Sequence, residues 1–198
     1  MRFYLKTLTV DVRNSGIMHL TKEWSTMSRA RQRIEEGASK VSGLDVKIVR
    51  LAAMRVARFH GFGSSPELVA IEKLVYWARP KGLLENRTRN RIFGFNNPNP
   101  SPGSPNYGYE TWIAVGSEID AEKGVELHEF EGGLYGVTRC RGVESITPTW
   151  KALVQWLEES PYRYGSDPCL EELLGPLDAP LDELINGSVL DLYMPIAE

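Results

Sequence analysis

Histidine and cysteine are scarce, with three of the first and two of the second in 198 residues. His19, His60 and His128 stand far apart, with no HxH or HxxxH spacing, so no metal-ligand pattern is present and no metal is expected. Cys140 and Cys169 form no CxxC pair; free, buried thiols in a reducing cytoplasm are the expectation. Cys140 lies between Arg139 and Arg141, but strand alternation turns it away from both. No apolar run approaches the length of a membrane span. Charge of neither sign is in excess: 23 basic against 26 acidic residues leave a net charge of −3, which creates no global field for nucleic acid. The start, "MRFYLKTLTVDV", lacks the charged-then-apolar order of a secretory signal. GxGxxG, Walker and GxSxG patterns are missing too; "GFGSSPE" serves a strand-to-helix turn, and no cofactor is expected. What remains is 42% apolar and 25% charged residues, enough to fill a real core.

The chain orders itself after Gly43. "DVKIVRLAAMRVARFHGFG" reads as two strands or one bent strand, with Ala52-Ala53 as the break. "SSPELVAIEKLVYWARPKGL" reads as a helix with Ser65 as N-cap, Pro66 at its first position, and Pro80 and Gly82 as its stop. "RIFGFNNP" and "YGYETWIAV" read as strands around the loop "NPNPSPGSPNYG". The order then returns. "GVELHEFEGGLYGVTRCRG" alternates, broken at Gly132-Gly133; "ITPTWKALVQWLEESPY" reads as a helix with Thr147 as N-cap; "CLEELLGP" and "SVLDLYMPI" read as strands.

Matching residues support a duplication. Leu-Val-x-Trp recurs 79 positions on, at Trp77 and Trp156, which read as core anchors of equivalent helices. Val56-Ala57-Arg58 meets Val137-Thr138-Arg139, Gly61 meets Gly142, and Tyr109–Trp112 meets Leu190–Tyr193, each 81 apart. Pro66 and Pro98 have Pro148 and Pro176 as counterparts. The predicted fold is α+β: pseudo-two-fold duplicated β-α-β-β modules, helices packed on antiparallel sheets, and a ligand cleft between halves at about 45–118 and 119–198. Residues 1–44 read as an amino-terminal extension. Its "TMSRARQRIEEGASK" suits a solvated accessory helix better than a DNA-recognition helix, which needs a packed partner helix.

Alternation also sorts faces. Leu190, Leu192 and Met194, with Tyr109, Thr111 and Ile113, fall on the helix side; Glu110, Trp112, Asp191 and Tyr193 fall opposite. If the halves pair about a two-fold axis, these opposite faces line a shared hollow. Carboxylates among ring faces there would favour a flat organic cation. Ordinary sheet packing of Trp112 and Tyr193, and structural or rim roles for the two acids, are the plain alternatives.

The ordered set "RIFGFNNPNP", "YGYETW", "FEGGLYGVTRCRG", "TWKALVQWLEES", "CLEELL" and "VLDLYMPI" resembles the GyrI-like small-molecule-binding family, which also supplies effector-binding domains of multidrug-sensing bacterial transcription regulators. The resemblance spans about Val46 to Ile196. It implies a duplicated α/β unit with a cleft, and it implies a role for Glu171: the family often carries a cleft Glu in the strand after the second helix. Leu173 stands where an aromatic is frequent. Tyr193 matches a common cleft aromatic; Tyr135 matches a common family tyrosine that either lines the ligand or supports the sheet. With Trp112, Glu110 and Phe93 these form the candidate ligand contacts.

The expected function is binding of amphipathic, aromatic or cationic small molecules, as in drug or toxin sensing or sequestration. One alternative is hydrolysis of cyclopropane-bearing alkylating natural products, with Glu171 activating water beside Trp112 and Tyr193. Another is an effector domain of a transcription regulator. The expected partner is a small molecule, with no membrane and no DNA unless a further domain supplies it; the oligomeric state stays open, a homodimer included.

Overall fold

A computed structural model describes residues 44–175, 177 and 188–198; the accessory-helix reading therefore falls outside the described residues. Among the described residues, nine strands and two α-helices follow in the order β1 (Lys47–Leu51), β2 (Met54–Gly63), α1 (Pro66–Ala78), β3 (Ile92–Asn96), β4 (Tyr107–Ala114), β5 (Glu126–Phe130), β6 (Gly133–Arg141), α2 (Ile146–Glu159), β7 (Arg163–Tyr164), β8 (Leu170–Leu173) and β9 (Val189–Ala197). The α+β class stands. No helix among the described residues is long and apolar enough to cross a membrane.

The two halves do not build separate sheets. Eight strands run in one curled antiparallel sheet, β1-β6-β9-β8-β3-β4-β2-β5, and β7 adds to β9. The path reads alike from either end, and its middle is the β3–β8 pairing, where Phe93 lies opposite Glu172 and Gly94 opposite Glu171. Each half's leading strand is exchanged: β1 runs into β2 but pairs with β6, and β5 runs into β6 but pairs with β2. Ala52-Ala53 joins β1 to β2 without making a hairpin. A two-residue hairpin turn needs positive φ, which alanine resists.

The register also refines the repeat. Arg58 lies opposite Trp112, whereas Arg139 lies opposite Asp191. The 58/139 and 112/193 equivalences therefore do not hold together; one strand pair has slid by two residues. A slide of two keeps every side chain on its own face.

Both helices lie on one face. Pro66 starts α1 after Ser65 as the sequence predicts; Ala70, Leu74 and Ala78 are fully buried, and α1 packs on β2 and β4. The second helix starts at Ile146, not after Thr147. Positive-φ Gly142 leads into a 3₁₀ turn over Val143–Ser145 that runs straight into α2. Leu153 is its fully buried anchor, against Cys140, Leu190, Leu192 and Met194. Burying a leucine of this kind contributes about 1.5–3 kcal/mol. Trp156 lies over Gly136, where an added Cβ would stand 2.6 Å from the indole. Cys140 is buried, as alternation requires, and burial pushes its thiol pKa up. On the far face, Leu51, Val56, Phe93, Trp112, Phe130, Tyr135, Val137, Leu170 and Tyr193 close into a third apolar cluster.

Candidate functional site

The period of two places the predicted residues. In β4, Tyr107, Tyr109, Thr111 and Ile113 face the helices, and Glu110 and Trp112 face away. In β8, Glu171 faces the helices and Leu170 and Glu172 face away. Glu171 therefore does not share a hollow with the other five candidates. Phe93, Glu110, Trp112, Tyr135 and Tyr193 stand together on the far face, with the sheet between them and Glu171. The shared-hollow expectation assumed two sheets facing one another; a single sheet, continuous through β3 and β8, leaves the far face to pack on itself.

That far face is well filled. Phe93 and Tyr135 each meet the Tyr193 ring edge-on, at 5.9 and 5.7 Å between centroids. Trp112 lies 4.9 Å from Phe95 and 5.4 Å from Phe130. Its acids are neutralised. Glu110 accepts from Arg58 Nε at 2.6 Å, from Trp112 Nε1 at 2.6 Å and from Asn97 Nδ2 at 2.9 Å. Burial opposes its ionisation, but those donors outweigh burial and hold its carboxyl below the usual range. Glu172 accepts both arms of Arg91 at 2.7 Å, and the Tyr193 hydroxyl donates to it at 2.7 Å. Asp191 takes a two-pronged bond from Arg139 at 2.8 Å.

The helix side is different. Glu171 sits between the two halves, partly buried, and its oxygens are met by uncharged donors: the Tyr109 hydroxyl at 2.8 Å and the Trp150 indole N–H at 3.1 Å. No Lys, Arg or His pairs with it among the described residues. Burial raises its carboxyl above the usual range, the Trp150 and Tyr109 bonds oppose that, and the nearby Glu67 charge adds to it. Tyr109 reaches Glu171 because its partner strand carries Gly94 beneath it; a Cβ there would stand 2.1 Å from the phenol oxygen. Two positions along β4, the Tyr107 hydroxyl donates to Glu67 at 2.5 Å. Glu67 lies in the first turn of α1, where the helix dipole favours an anion.

Four of these residues are absent from the sequence-level candidates: Glu67, Tyr107, Tyr109 and Trp150. Tyr109 is assigned to the helix side there, but as core. The available signal is "YGY": two phenols at i and i+2 on the face that also carries Glu171.

The arrangement puts aromatic side chains beside carboxylates that have no cationic partner among the described residues. Aromatic faces attract cations, and a carboxylate without a protein counter-ion completes the attraction. Cys140 is buried, and burial pushes its thiol toward the protonated form.

Residues 47–196 match the family model for Cass2, described as an integron-associated effector-binding protein. No curated protein is significantly similar in sequence. Among solved structures, EcmrR, in a cryo-EM complex with DNA, aligns over 92% of this chain and 67% of its own, with 13% identity and a TM-score of 0.60. An uncharacterized conserved protein from Listeria innocua aligns over 84% of this chain and 98% of its own, at 12% identity and a TM-score of 0.57. A hydrolase from Listeria innocua gives 85% and 98%, 12% identity and 0.55. At such identities these similarities establish a common fold.

Proposed function

The chain belongs to the Cass2 family of integron-associated effector-binding proteins, in agreement with its GyrI-like resemblance, and from that membership we infer that the helix-side site around Glu171 takes amphipathic organic cations. Small-molecule binding follows from the family; the cationic class follows from the site chemistry. One observation carries it. Among the described residues, Glu110, Glu172 and Asp191 each have an arginine, whereas Glu171 has a phenol and an indole N–H. Such donors satisfy the oxygens and leave the charge to be matched from outside.

A cation entering this site meets the carboxylate and the Tyr109 and Trp150 rings. At about 4 Å and an effective dielectric near 20, the charge pair is worth about 4 kcal/mol before desolvation offsets part of it. A net of about 2 kcal/mol corresponds to roughly thirtyfold in affinity. In the hydrolase alternative, Tyr109 and Trp150, rather than Trp112 and Tyr193, would stand beside the reacting atom.

Calorimetric titration with tetraphenylphosphonium, against neutral triphenylphosphine oxide, tests the reading. The cation is expected to bind saturably, and Glu171→Gln to weaken it about thirtyfold with little effect on the neutral compound. Equal cation affinity in wild type and Glu171→Gln refutes the role of the acid.

A further inference from the structure

Glu67 is the second acid on the helix side, and its state is unusual. It is 9% exposed, Tyr107 donates to one of its oxygens, and the other, Oε2, is buried with no hydrogen-bond partner. Nearly all buried polar atoms find partners. None of the described residues supplies a donor or a cation to this carboxylate oxygen. Nor does any Lys, Arg or His pair with Glu67 among the described residues. Burial pushes its carboxyl above the usual range, with the Tyr107 hydroxyl and its own backbone N–H opposing.

Geometry ties this acid to Glu171. Each is anchored by one of two phenols that rise from the same face of β4, Tyr107 to Glu67 and Tyr109 to Glu171. Two residues of strand separate the anchors by about 7 Å. The charges are close enough for Glu67 to act on both Tyr109 and Glu171. Trp150 closes the Glu171 end from α2, and the first turn of α1 closes the Glu67 end.

We propose that Glu67 is a second anionic subsite, and that the preferred ligand is an organic dication whose charged centres are separated by about 7 Å, one facing each acid. This rests on the reading of Glu171 above and narrows it from cations in general to a two-headed class. A monocation satisfies one acid and leaves the other buried and unmatched. A linker of matching length satisfies both in one binding event, which repays the cost of association only once.

The test compares pentyltrimethylammonium with alkanes bearing trimethylammonium at both ends, linked by three, five or ten carbons. On wild type the five-carbon dication is expected to bind about tenfold tighter than the monocation and to be the best of the series. Glu67→Gln is expected to erase that advantage, so that the five-carbon dication binds the variant no tighter than the monocation does. Glu67→Asp, which keeps the charge but retracts it by one methylene, is expected to move the optimum to a longer linker, and it decides the matter should Glu67→Gln not fold. A dication no tighter than the monocation, or an advantage that survives Glu67→Gln, overturns the proposal while leaving Glu171 in place. Failure of every cation to bind wild type overturns both.

Discussion

Glu171→Gln should make the empty protein more stable while it weakens cation binding. The geometry permits the exchange: a glutamine can accept from Trp150 Nε1 through its carbonyl and donate to the Tyr109 oxygen through its amide, so both contacts survive. Two bonds lose their charge assistance, at a cost of about 1 kcal/mol each. Against this, an ion held out of water without a counter-ion costs several kcal/mol, and that cost disappears. The net gain is about 1–2 kcal/mol, which for a chain of this size raises Tm by roughly 2–8 °C. The sign with pH follows from the raised carboxyl. Burial lifts Glu171 in the folded state above its unfolded value, near 4.3, so its favourable contribution is present below that value and is lost as pH rises through the folded pKa. The variant's advantage should therefore vanish near pH 4 and grow toward neutrality. Thermal unfolding of both proteins across that range, with and without tetraphenylphosphonium, reads all of this. The ligand should narrow the gap by stabilising wild type more than the variant. A variant less stable than wild type at neutral pH, by the same margin at every pH, would make Glu171 a structural acid and refute the reasoning.

Two more substitutions probe the support of the site and the far face. Gly94→Ala places a Cβ where the Tyr109 phenol oxygen lies, so the ring must swing off Glu171; a loss of about 1–3 kcal/mol in unfolding free energy and a several-fold weaker cation affinity are expected, by denaturant unfolding and titration. Arg91→Met leaves Glu172 buried with Tyr193 as its remaining partner, and should cost about 3 kcal/mol; replacing Glu172 by Met in the same chain should recover most of it, because the fault is the unpaired charge.

Much of this fold is legible in local pattern. Ser65-Pro66 marks the start of α1, Gly132-Gly133 marks the break between β5 and β6, and alternation assigns the faces of β4 and β9. What alternation does not carry is register, because a slide of two residues changes partners without changing faces. The pairing of Arg139 with Asp191 and of Arg58 with Trp112 is invisible at that level. Strand exchange is half visible: Ala52-Ala53 is poor material for a tight hairpin, but only the sheet shows that β1 crosses to β6. For the site, Glu171 comes from the family resemblance alone. Its neighbours are hard to read because phenols on a helix-facing strand look like core until an acid is found against them. The far-face acids Glu110 and Asp191 are attractive candidates for the same reason: each one's arginine lies 52 residues away in sequence.

The contrast between the two faces is what favours the helix side as the proposed site. Four of the acids in question stand on the sheet and the fifth, Glu67, in the first turn of α1, and their partners divide by side. On the far face each acid takes a guanidinium, which supplies charge and geometry together. Those pairs sit among rings that already meet edge-on, so binding a ligand there would mean breaking an ion pair and unpacking aromatics. On the helix side the donors are phenols and an indole, which orient a carboxylate without neutralising it. The two helices are each anchored on their own half of the sheet. An acid oriented but not neutralised is poorer for stability than an ion pair and better for recognition, and the sheet's period of two keeps the two kinds apart within a single strand: Glu171 on one side of β8, Glu172 on the other.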